Sequence, residues 1–99
     1  MRISSTDQKV IRSLVEERFG ARATVRLFGS RLNDDARGGD VDLLVELPDP
    51  VPDPAVASAE LAVKITRALG GRNVDVVLRA PNLRHLPIHD VARREGVLL

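Results

Sequence analysis

Two aspartates, Asp40 and Asp42, stand one residue apart at the head of the run DVDLLVEL, Asp40 to Leu47. The rest of the run has the apolar content of a strand, where Asp is depleted. Residues i and i+2 of a strand point to the same face, so the two Cα atoms lie about 7 Å apart and the carboxylates lean the same way. Such like charges repel unless a cation sits between them, and carboxylate oxygens are the donors that Mg²⁺ takes. A third acid, Asp75, lies inside another apolar run, NVDVVL, Asn73 to Leu78. If that run is the neighbouring strand, Asp75 reaches the same cation. Upstream, Gly29-Ser30 ends a β-prone run and precedes a candidate helical turn. A helix start offers free N–H groups to phosphate, glycine lets the backbone come close to a ligand, and Ser30 adds a hydroxyl, with Arg31 and Arg37 flanking. Each feature alone has a plain reading: solvated acids at a strand mouth, a turn with Ser30 as N-cap, surface arginines. Together they describe a metal-dependent phosphoryl or nucleotidyl transfer site.

The elements that must hold these residues follow from pattern. Ser5-Thr6-Asp7-Gln8 reads as a capping box with Ser5 as N-cap, and Val10, Ile11, Leu14, Val15 and Phe19 follow at helical spacing. The first helix therefore runs over about residues 6–19, closed by Gly20. Ala23 to Phe28 is the first strand and Val41 to Leu47 the second, with a short helical turn over 31–37 between them. The proline-rich stretch 48–54 is a stiff loop. Asp53 and Pro54 have the chemistry of a helix start, and a helix follows to Leu69 with Ser58, Leu61, Ala62, Ile65, Ala68 and Leu69 as its buried stripe. Asn73 to Leu78 is the third strand and 87–94 a short amphipathic helix. Val97-Leu98-Leu99 adds a terminal strand or an apolar plug. The tight connection between strands one and two predicts an antiparallel pair. The helical crossover between two and three predicts a parallel, right-handed one. The expected class is α+β: a small mixed β-sheet with helices packed on one face, as a single domain over residues 1–99.

Composition narrows the function classes. The chain of 99 residues has a formal net charge of +1, which exerts no bulk pull on DNA or an anionic membrane. It has no Trp or Tyr and two Phe, so it lacks the aromatic platforms of single-strand nucleic-acid binders. No direct nucleic-acid binding is expected. The absence of cysteine excludes disulfides and zinc–thiolate sites and fits a reducing, cytoplasmic setting. The start, MRISSTDQKV, lacks the apolar core of a signal peptide, and no apolar run is long enough to cross a bilayer.

With these residues in view, the chain resembles the minimal nucleotidyltransferases of the DNA polymerase β-like superfamily. The signature reads here as Phe28-Gly29-Ser30, a nine-residue spacer, Asp40-Val41-Asp42, then Asp75, and the likeness extends to Arg94-Glu95-Gly96-Val97-Leu98. The resemblance implies a polymerase β-like palm. It implies that Gly29, Ser30 and Arg31 hold a nucleoside triphosphate, that Asp40, Asp42 and Asp75 ligate Mg²⁺, and that Asp75 takes the proton of an incoming hydroxyl. The implied reaction transfers AMP from ATP. Such proteins are often the antitoxins of HEPN-domain toxins, so a HEPN-domain partner is implied, and some modify a tyrosine of that partner. Because this chain has no tyrosine, such an acceptor belongs to another molecule. Where many relatives read Gly-Ser-Arg-Ala-Arg-Gly, this chain reads Gly29-Ser30-Arg31-Leu32-Asn33-Asp34. The rival reading is accordingly an interaction module that neutralises a HEPN-type partner by binding alone. A metal-dependent glycosyltransferase would need a longer chain, and a DNA-binding antitoxin a more basic one. No base-binding pocket is evident, so a partner or a second copy of the chain is expected to complete the site.

The remaining polar residues read as structural. His85 and His89 are expected to be surface histidines near a loop. Asp49 and Asp53 fit turn and cap roles, and Arg93-Arg94 complement a helix C-terminus.

Overall fold

Alternation along β2 (Val41–Glu46) organises the molecule. Val41, Leu43 and Val45 are fully buried on one face, while Asp42, Leu44 and Glu46 take the other. The computed structural model describes residues 3–29 and 41–99. Its element order is α1 (Ser5–Phe19), β1 (Thr24–Phe28), β2, α2 (Pro54–Ala68), β3 (Val74–Arg79), α3 (Pro87–Glu95) and β4 (Val97–Leu98). The helical turn expected over 31–37 lies outside the described residues, as do Ser30, Arg31 and Asp40.

The four strands form one sheet in the order β3-β2-β1-β4. As the connection lengths predict, β1 and β2 are antiparallel and β2 and β3 parallel. The terminal residues form a strand rather than a plug: β4 pairs antiparallel with β1. The inner face packs against α1 and α2. Ile11 and Val15 of α1 and Leu61 and Ile65 of α2 meet Val25, Leu27, Leu43 and Val45 in one cluster. Each fully buried Leu or Ile there contributes about 1.5–3 kcal/mol. The short α3 lies on the outer face, where Ala92 joins Phe28, Leu44 and Val77 in a second, smaller cluster.

The caps differ in detail from expectation. Ser4, not Ser5, is the N-cap of α1, its side chain accepting from the Asp7 N–H at 3.1 Å. Gln8 turns back instead to the Ile3 carbonyl. Asp53 precedes α2 but makes no side-chain cap bond; Pro54 fixes the first turn. The buried stripe of α2 runs through Ala57, Leu61 and Ile65, and Ala68 is exposed. The proline loop is tied down from a distance. The Asn82 side-chain amide accepts from the Val51 N–H at 2.9 Å and donates to the Val51 carbonyl at 2.8 Å. Among the described residues, no helix is long and apolar enough to cross a membrane.

Candidate active site

The parallel register of β2 and β3 sets Asp42 directly opposite Asp75. Paired residues on neighbouring strands project to the same face, about 4.8 Å apart. The two carboxylates therefore meet at the start of both strands on the outer face. Phe28, the antiparallel partner of Asp42, supplies an apolar floor beside them. Asp42 is half-buried and Asp75 exposed. Like charges directly opposite one another are unfavourable in a sheet, and a cation shared between them would offset that cost.

Gly29 follows β1 with φ of +77°, a conformation that costs a non-glycine residue about 1–2 kcal/mol. It also abuts the acid: a Cβ built on Gly29 would collide with the Asp42 Oδ2 atom. Both the left-handed backbone and the lack of a side chain are required there. The turn that ends β1 is thereby packed against the carboxylate of β2. Of the residues singled out by sequence, Gly29, Asp42 and Asp75 are brought together; Ser30, Arg31 and Asp40 lie outside the described residues.

Carboxylate oxygens suit Mg²⁺, which takes one or two carboxylates together with substrate phosphates. Among the described residues, no group of three or more His, Cys, Asp or Glu side chains is placed to hold a metal. The described residues thus supply two carboxylates, and Asp40, the residue before β2 in sequence, lies outside them. Beside Asp75, at the β3 edge, a hollow of about 380 Å³ runs along α2. Its walls are Val63, Thr66, Arg67, Asn73 and Val74. Arg67 forms no ion pair with the described residues.

The other end of the same face carries a second charged group that sequence reading passed over. Glu46 receives Arg26 Nε at 3.2 Å, Arg93 Nε at 3.6 Å and Arg79 Nη1 at 3.9 Å. These residues span three strands and a helix and share no sequence spacing, and arginine is common throughout the chain. The histidines also need correction. His89 is buried, not superficial. Its Nδ1 accepts from the Leu86 N–H at 2.9 Å and its Nε2–H donates to the Leu78 carbonyl at 3.1 Å. It thereby clamps α3 to β3. The available signal was its spacing of three from Ala92, which puts both on one helical face. His85 does stay at the surface, bonded to Asp90 at 3.0 Å. That bond, before any other cause, holds the Asp90 carboxyl below its ordinary range.

Comparison with known proteins places the fold. The family model described as nucleotidyltransferase domain matches residues 9–97. No curated protein matches the chain by sequence. Among solved structures, one match is to a toxin–antitoxin complex with AMP-PNP: 24% identity, 93% of this chain and 70% of the other, TM-score 0.68. A second is the tri-AMPylated Shewanella oneidensis HEPN toxin in complex with MNT antitoxin: 24% identity, 93% and 66% coverage, TM-score 0.62. A third is a MntA–HpeT complex in which two aspartates, two positions apart, are replaced by glutamate: 22% identity, 93% and 70% coverage, TM-score 0.66. The four-stranded sheet and its helices thus share the fold of these solved MNT-type structures, and the chain belongs to the nucleotidyltransferase domain family.

Proposed function

We propose that this chain transfers a nucleoside monophosphate, AMP from ATP, to a hydroxyl of a partner protein, and that the partner is a HEPN-domain toxin. The carrying observation is the register that opposes Asp42 to Asp75 with Gly29 packed on Asp42. A pair of like charges on adjacent strands is tolerated at a site that binds a cation and is otherwise costly.

In this reading Asp42 and Asp75, with Asp40, hold magnesium. When bound, magnesium supplies positive charge that neutralises the phosphates and stabilises the in-line displacement. Gly29 lets the turn after β1 sit against the Asp42 carboxylate, so that the triphosphate would be held by that turn beside the metal-holding acids. Asp75, exposed at the sheet edge, takes the proton of the acceptor hydroxyl. The acceptor oxygen bonds to the α-phosphorus, the bond to the β-phosphate breaks, and pyrophosphate leaves. The hollow along α2 lets the acceptor reach Asp75 from the β3 edge. The HEPN partner and AMP are supported by the solved relatives, one with an AMPylated HEPN toxin and one with AMP-PNP.

The test is incubation with α-labelled ATP, Mg²⁺ and the product of the neighbouring gene. Label on a partner hydroxyl, absent with Asp75→Asn, supports the transfer. Titration calorimetry that finds no ATP binding in the presence of Mg²⁺, with the partner still bound, selects the non-catalytic module instead.

A further inference from the structure

We propose that the cleft where β3 ends against α3 is a docking site for an acidic polypeptide segment, gripped by Arg79, Arg84 and Arg93. The cleft has a volume of about 390 Å³, and Leu83 and Pro81 are among its apolar walls. It lies on the outer face at the opposite end from the acids. Asp42 and Glu46 are four residues apart on β2, about 13 Å. The proposal therefore does not rest on the transfer chemistry.

Charge is concentrated in this cleft. The whole chain has a formal net charge of +1, yet among the described residues three arginines line this one hollow beside a single carboxylate, Glu46. Arg26 reaches the same carboxylate from β1. A network serving only to pin α3 to the sheet would be neutral with one guanidinium per carboxylate. Here the guanidiniums around Glu46 outnumber it, and like charges drawn together in a partly buried place are unfavourable without further anions. Arg79 Nη1 is buried and makes no hydrogen bond; its nearest anion is Glu46 Oε2, at 3.9 Å. Arg84 is exposed and forms no ion pair with the described residues. His85, also on the rim, is matched by Asp90.

The guanidinium fork suits carboxylate and phosphate alike. The apolar surroundings select between the sources. Leu47, Pro48, Ala80, Pro81 and Leu83 give the cleft apolar walls, and no phenylalanine lines it on which a base could stack. Carboxylates alternating with aliphatic side chains match that mixture of arginines and apolar walls; a bare phosphate leaves the walls unused.

The experiment is fluorescence anisotropy of a labelled short peptide alternating Glu and Leu, titrated with the full chain at moderate salt, with inorganic phosphate as competitor. Saturable binding is expected, weakened about tenfold by the pair Arg84→Gln and Arg93→Gln and unchanged by Asp75→Asn. Circular dichroism establishes that the variants are folded. Should the pair fail to fold, the exposed Arg84→Gln alone is expected to weaken binding measurably. The proposal is overturned if the peptide does not bind, if Arg84→Gln leaves its affinity unchanged, or if inorganic phosphate displaces it at equal concentration. The last result marks a small-anion site instead.

Discussion

The outer face of β2 and β3 carries two cross-strand pairs of opposite character. At the start of the strands Asp42 faces Asp75; at their end Glu46 faces Arg79. Leu44 and Val77 lie between them, covered by Ala92 of α3. Both pairs share the same strands, face and register, so backbone geometry does not distinguish them. The far pair is attractive, as cross-strand pairs that stabilise a sheet are. The near pair sets two carboxylates of like charge side by side. Where one sheet contains both, the like-charged pair is the one on which the proposed transfer rests.

The sharpest way to break that contrast is Asp75→Asn. It is expected to lower nucleotidyl transfer by about a hundredfold or more while raising stability by about 0.5 kcal/mol, since the opposed charge is gone. A chemical-denaturation curve run beside the label-transfer assay reads both. A variant that loses activity and stability together would show Asp75 to be structural. Gly29→Ala probes the same end through the backbone. The left-handed φ alone costs about 1–2 kcal/mol, and the contact with Asp42 displaces that carboxylate. A lower melting temperature with a raised KM for ATP is expected.

At the other end the signs reverse. His89→Leu leaves the Leu86 N–H and the Leu78 carbonyl without their partner, a cost of about 2 kcal/mol, measurable as a lower denaturation midpoint. Glu46→Gln leaves Arg26, Arg79 and Arg93 without their common anion. A loss of about 1–2 kcal/mol is expected for this half-buried group, and added salt partly restores it. Smallest is His85→Gln, which returns the Asp90 carboxyl toward its ordinary range. In the unaltered chain the bond's contribution is present above the ordinary Asp range and is lost as pH falls through the lowered folded-state value. A carbon-detected NMR titration of Asp90 follows it.

The contrast between the two ends also explains what could be read in advance. Asp42 and Asp75 stood out because each interrupts an apolar strand, and connection lengths predicted which strands are parallel. The Arg–Glu cluster gave no such signal. Arg26, Glu46, Arg79 and Arg93 come from four elements, and in an arginine-rich chain no one of them stands out before the sheet is assembled. His89 was misjudged because its bonding partners, the Leu78 carbonyl and the Leu86 N–H, are backbone groups, which leave no trace in side-chain pattern. The shift of the α1 cap from Ser5 to Ser4 is a choice between adjacent equivalent serines, decided by which one meets the Asp7 N–H.

Asn82 has a wider consequence. Its side chain imitates a peptide unit, and it closes with Val51 a ring of two bonds that clasps the segment holding α2 and β3 at both exits. Under native-state hydrogen exchange the Val51 amide is then slow although it lies in a proline-rich loop, and α2 and β3 open as one body. Asp75 rides on that body, so a clip at the distant end of the sheet keeps the acid in register with its counterpart on β2.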